Sequence, residues 1–159
     1  LAALLKLVAG RVPVLVELKG DWRGSDEAFV AQVARLLTVY QGPVAVMSYE
    51  PDLMAGLKRL APNVPRGLVS ANLANNSDAV RTLGAAKALA LTRLDGFKEV
   101  GASFVAYNVD DLPTDATLWL RDCDVPIFAW TAREKRQLEV AKAYADAIIF
   151  EGPIKRQLS

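Results

Sequence analysis

The sequence predicts a parallel α/β fold, on three observations. Six short runs rich in Val, Ile, Leu and Ala alternate with amphipathic stretches of helical length, the signature of successive βαβ units. The first of these runs, VPVLVELKG at 12–20, carries an acid and a base at its carboxyl end, where parallel α/β proteins place their chemistry. Neither G-x-G-x-x-G nor G-x-x-x-x-G-K-[ST] occurs, so the phosphate loops of open nucleotide-binding sheets are missing. Periodicity alone leaves an open doubly wound sheet and part of a closed barrel both available, because right-handed βαβ units build either.

The elements follow in order. Leu1 to Val8 has apolar residues on a helical period and stops at Gly10. A strand is expected over Val12 to Lys19. The stretch 26–40 places Phe29, Val30, Val33, Leu36 and Leu37 on one helical stripe, closed by QGP. A second strand follows at 44–49, a short helix opened by Pro51, and a third strand at 66–71. The polar stretch ANLANNSD reads as a loop, and residues 77–94 as one alanine-rich helix. Strands at 103–109, 126–131 and 147–150 enclose two further helices, the second of them opened by a capping-box pattern, Thr131 with Glu134.

Composition narrows the function. A chain of 159 residues is long enough for one domain with a real core. Nineteen basic residues balance 18 acidic ones, which argues against a nucleic-acid partner or a polybasic membrane anchor. The opening LAALLKLVAG is shorter than the roughly 20 residues a membrane span needs. It lacks a leader's cleavage signal, and a cytoplasmic location is expected. Cys123 lies between two aspartates, where a thiol is disfavoured as a nucleophile, and reads as structural. There is no histidine, so imidazole is removed as an acid, a base or a metal ligand.

Strand side chains alternate, so Val14, Val16 and Leu18 face a helix layer while Leu15, Glu17 and Lys19 point the other way. The plain reading is an ion pair or a wet strand end. Buried pairs seldom add net stability, because desolvating two ions costs several kcal/mol each. The chemical reading is an anionic substrate held with a metal. A glutamate oxygen is a hard ligand for magnesium or calcium, and a lysine two residues on can neutralise a phosphate oxygen.

Here VPVLVELK resembles the strand of glycerophosphodiester phosphodiesterases that reads as aliphatics followed by Glu-Ile-Lys, with Leu18 in place of the isoleucine. VAVMSYEPDLMAGLKRLAPNVPRGLV is similar to the family's Ser-Phe strand with its helix, Ala-Pro turn and Gly-Leu strand. GASFVAYNV and VPIFAWTAREKRQLEVAKAYADAIIFEGP resemble its last strands, including the Trp-Thr end. The likeness runs in order along nearly the whole chain. It departs at Asp146-Ala147 and Phe150-Glu151, where the family has Asp-Gly and Thr-Asp.

The resemblance implies a (β/α)8 TIM barrel, present here as its later strands and helices, that hydrolyses glycerophosphodiesters to glycerol phosphate and an alcohol with a divalent cation, Mg2+ or Ca2+. By position it makes Glu17 a metal ligand and Lys19 a phosphate contact. Trp130, on the same strand face as Phe128, becomes a contact on the glycerol or leaving-group side. Ser48 and Tyr49 match the Ser-Phe strand end as pocket residues, and Tyr107 and Asn108 sit at another strand end. The family's two catalytic histidines and its Glu-x-Asp metal carboxylates precede the Glu-Ile-Lys strand and would lie upstream of Leu1. Such a barrel needs about 250 residues, so upstream residues are expected; a chain that lacked them would need a partner copy, a homodimer, to cover its edges. Two other readings stand beside this one. One is a non-catalytic relative that keeps the strand for binding phosphate ligands; the other is an unrelated doubly wound domain in which Glu17 and Lys19 are a plain ion pair.

Overall fold

The structure is a computed structural model that describes residues 1–24 and 26–152. The chain divides into two compact units, one comprising residues 1–68 with 96–103, the other 69–95 with 104 onward.

In the first unit, α1 (Ala2–Val8) ends at Ala9, which takes the left-handed conformation itself, one residue before the expected glycine stop. Then come β1 (Val14–Leu18), α2 (Glu27–Val39), β2 (Val44–Ser48), α3 (Pro51–Leu60) and β3 (Arg66–Ser70), whose last two residues are counted in the second unit. The three strands pair in parallel and in chain order, with Leu18 beside Ser48 and Ser48 beside Leu68. Asp26 caps α2 by accepting the Phe29 N–H at 3.0 Å, which satisfies one of the free donors of a helix start. Proline at the first turn of α3 costs no hydrogen bond, because its missing N–H would have had no partner there.

The expected alternation holds where it matters most. Leu18 and Val46 are buried on the helix side, where Val30, Val33 and Leu37 of α2 and Leu53, Met54 and Leu57 of α3 are buried too. Each such aliphatic side chain contributes roughly 1.5–3 kcal/mol by leaving water. On the opposite face of β1, Leu15 is exposed and Glu17 is partly covered.

The second unit holds a 3-10 turn (Leu73–Asn75), α4 (Ser77–Leu83), α5 (Ala85–Thr92), β4 (Phe104–Asn108), a 3-10 turn (Val109–Asp111), α6 (Asp115–Asp122), β5 (Ile127–Ala132), α7 (Lys135–Tyr144) and β6 (Ala147–Phe150). β4, β5 and β6 are parallel neighbours, with a register shift between Ala129 and Ala132. Two expectations are corrected. The single helix over 77–94 is two helices, because Gly84 adopts φ 82° and ψ 150°, a region that residues with a Cβ essentially avoid. The capping box is not Thr131 with Glu134, because Thr131 lies inside β5. α7 starts one turn later at Glu134, and the Gln137 side chain reaches back to accept the Glu134 N–H at 3.3 Å.

Candidate functional site

The carboxyl end of β1 brings the charged pair together. Lys19 Nζ donates to Glu17 Oε1 at 2.8 Å, with Lys19 77% and Glu17 28% exposed. An ion pair this wet is worth at most about 1 kcal/mol. Fold stability therefore does not explain why two charges occupy the end of an otherwise aliphatic strand. Leu18 between them points the other way and is 4% exposed.

Behind the pair runs a short relay of hydrogen bonds. The Ser48 hydroxyl donates to the Leu18 carbonyl at 2.8 Å and accepts the Glu50 N–H at 3.0 Å. Ser48 is fully buried, so its hydroxyl is occupied in joining β2 to β1. The Glu50 carboxylate, on a residue 4% exposed, accepts the Trp22 N–H at 3.0 Å. It also lies against Gly20, where a Cβ would come within 2.7 Å of Glu50 Cδ. Trp22 itself has φ 64°, a left-handed backbone uncommon for a bulky side chain.

These residues enclose a pocket of about 200 Å³, lined by Glu17, Lys19, Gly20, Trp22, Tyr49 and Glu50 among others. Two larger cavities in the same unit, of about 490 and 460 Å³, are mainly apolar. One lies by the amino end of β2 and the turn after α3, the other between α1 and α2. Neither gathers opposite charges, so the smaller pocket is the chemical candidate.

Four of the five residues to which the resemblance gives a metal-binding or substrate-contact role thus meet in one place: Glu17, Lys19, Ser48 and Tyr49. The fifth, Trp130, belongs to the second unit, partly buried on β5 beside Asn108 of β4. Tyr107 is fully buried, and its hydroxyl donates to the Thr92 carbonyl at 3.1 Å. Burial, and then the nearby Asp111 charge, push its pKa up to about 12. Asn108 accepts the Asp110 N–H at 3.1 Å and so caps the 3-10 turn. Sequence reasoning passed over Glu50 and Trp22; the one available signal was an acid directly before a proline at a helix start. Among the described residues, no three His, Cys, Asp or Glu side chains are grouped to hold a metal ion. No helix among them is long and apolar enough to cross a membrane.

No family model matches the sequence, and no curated protein matches it either. Solved structures do. A phosphodiesterase from Oleispira antarctica, solved in complex with its product sn-glycerol-3-phosphate, superposes with a TM-score of 0.74 at 15% identity, over 99% of this chain and 59% of that one. A glycerophosphodiester phosphodiesterase from Parabacteroides distasonis gives 0.63 at 18% identity, over 99% of this chain and 61% of that one. The fold is that of part of the glycerophosphodiesterase barrel. At these identities the likeness shows fold alone, and the chain spans about three fifths of the length of either phosphodiesterase. A glycerol uptake operon antiterminator regulatory protein from Listeria monocytogenes shares the fold more distantly, with a TM-score of 0.57 at 17% identity, over 96% of this chain and 75% of that one. The glycerophosphodiesterase-type fold is the one the Glu-Leu-Lys, Ser-Tyr and Trp-Thr strand ends pointed to.

Proposed function

We propose that this chain supplies the phosphate-holding part of a glycerophosphodiester phosphodiesterase, with Lys19 facing the phosphate and Glu17 as one oxygen ligand of a divalent cation, Mg2+ or Ca2+. The observation that carries the reading is the pair itself: opposite charges 2.8 Å apart, opening onto a small pocket. Because Lys19 is largely in water, an arriving phosphate oxygen can replace Glu17 as its partner without the cost of uncovering a buried ammonium. Glu17 would then be free to serve as one oxygen ligand of a cation. A lone carboxylate suits such an ion as one member of a larger oxygen set. Once bound, the cation would neutralise charge on the phosphate. By resemblance, Trp130 contacts the glycerol or leaving-group side, and Tyr49 lines the pocket. Acid and base catalysis by histidine is not supplied by these residues, since the chain has none.

A second reading is a non-catalytic module that binds phosphate ligands, favoured by the fold likeness to the antiterminator regulatory protein. Calorimetry with sn-glycerol 3-phosphate, alongside a hydrolysis assay on glycerophosphodiesters, separates the two in the full protein that carries this chain. Lys19→Ala should weaken glycerol phosphate binding about tenfold, the value of one charge-assisted hydrogen bond. Glu17→Gln should reduce both Mg2+ or Ca2+ affinity and turnover while the fold is kept. Binding without hydrolysis in the unmutated protein would select the second reading, and undiminished hydrolysis by Glu17→Gln would remove Glu17 as a metal ligand.

A further inference from the structure

We infer that Glu50 is a positioning residue for the phosphate pocket: its buried carboxylate holds the loop after β1, and through that loop sets where Lys19 and Trp22 stand. The inference rests on the reading of Lys19 as a phosphate contact. Three independent features converge on this one side chain. Glu50 is 4% exposed although it is an acid, and such burial is rare unless the group is bonded. Its carboxylate accepts the backbone N–H of Trp22, 28 positions earlier in the chain, so the bond ties the end of β2 to the loop that leaves β1. Gly20 leaves the carboxylate its room, because any Cβ there would overlap it.

The backbone shows what is being held. Trp22 sits at φ 64°, a conformation that is disfavoured for a residue other than glycine. Such strain persists only where the surroundings enforce it, and the bond from Glu50 is made to that same residue. The other end of the clamp is equally fixed, since the Glu50 N–H donates to Ser48, whose hydroxyl donates to the carbonyl between Glu17 and Lys19. Glu50 thus holds this stretch at two points, through its N–H and the Ser48 hydroxyl onto Leu18 at the end of β1, and through its carboxylate onto Trp22 in the loop that follows. Trp22 and Lys19 line the same pocket, so a shift of the loop changes its wall and its charge together.

Two readouts on the full protein test this: hydrogen exchange at the Trp22 amide, and calorimetric affinity for sn-glycerol 3-phosphate. Glu50→Ala should raise exchange at Trp22 by about tenfold or more and weaken glycerol phosphate binding about fivefold, consistent with the loss of one buried charge-assisted bond and a looser loop. Glu50→Gln retains an oxygen acceptor and should rescue most of both effects, and Glu50→Asp carries the same test if the alanine variant does not fold. Val30→Ala, a core truncation in α2, should lower stability without changing the affinity, which separates positioning from general loosening. Faster exchange with unchanged affinity would make Glu50 a structural anchor only, and unchanged exchange would overturn the clamp itself. If Lys19→Ala leaves binding intact, the parent reading of the pocket fails and this inference with it. If Lys19→Ala weakens binding and Glu50→Ala does not, only the inference fails.

Discussion

The first unit carries charge on its strands in two places, Glu17 with Lys19 at the carboxyl end of β1 and Arg66 at the amino end of β3, and holds the two in opposite ways. Lys19 is wet and its partner is a carboxylate. Arg66 is 7% exposed, and its guanidinium donates to carbonyls: Gly101 at 3.1 Å, Pro62 at 2.6 Å and Ala61 at 3.5 Å. Ala61 and Pro62 close α3, so the cation also meets the negative end of that helix. Burial lowers the Arg66 pKa from its ordinary value, so those bonds make up only part of the cost of drying the charge. Charge at the amino ends serves the fold, and charge at the carboxyl ends is left available to a ligand. That division is the one expected of parallel α/β architectures.

The largest test of this contrast is Arg66→Ala. It strips the Gly101 and Pro62 carbonyls of their donor in a dry site, while Ala61 keeps the Val64 N–H. The loss should cost about 3 kcal/mol, read as a fall in the urea midpoint. Wherever the variant is folded, its affinity for sn-glycerol 3-phosphate should match that of the parent. A loss below about 1 kcal/mol would put Arg66 among ordinary surface charges and dissolve the comparison.

Tyr107 is a dry polar group of the second unit that can titrate, and it gives the contrast a pH dependence. Its pKa is raised to about 12 in the folded chain from the ordinary tyrosine value of about 10, by burial first and by Asp111 second. Between these values the unfolded chain gives up the proton before the folded one does. The unfolded state then binds fewer protons, and stability falls as pH rises. The contribution is intact below pH 10 and should shrink by about 2–3 kcal/mol by pH 12. Tyr107→Phe should cost about 1 kcal/mol at neutral pH, through the lost bond to Thr92, and should remove that part of the alkaline decline. Denaturant titrations of both proteins at neutral and alkaline pH isolate it as a difference. Equal alkaline slopes would mean that the hydroxyl is not held in its dry site.

The order of strands and helices was legible because side-chain period is a local property: β1, β2 and β4 lie within one or two residues of their expected ends. Glu17 and Lys19 were legible for the same reason, since a two-residue spacing on a strand puts both on one face. What escaped depended on partners far along the chain. Gly84 looks harmless inside an alanine-rich run, yet its backbone angles split the helix. Glu50 reads as a solvent acid before a helix until Trp22 and Gly20 are brought to it. Arg66 reads as a strand-edge charge until the end of α3 and Gly101 close over it. The relay through Ser48 also needed the structure, because its hydroxyl serves the Leu18 carbonyl where the motif alone placed it toward a ligand.

The smallest expected effect sharpens the comparison most. Lys19→Ala should change folding stability by no more than about 0.5 kcal/mol, because an ammonium 77% exposed gives little of its pairing energy to the fold. The same substitution should still weaken glycerol phosphate binding, so one residue moves function without moving stability, the reverse of Arg66. A thermal melt and a calorimetric titration on the one variant decide it. Should Lys19→Ala destabilise the protein by as much as Arg66→Ala, the pair would be a structural strut, and the plain ion-pair reading would gain over the phosphate-holding one.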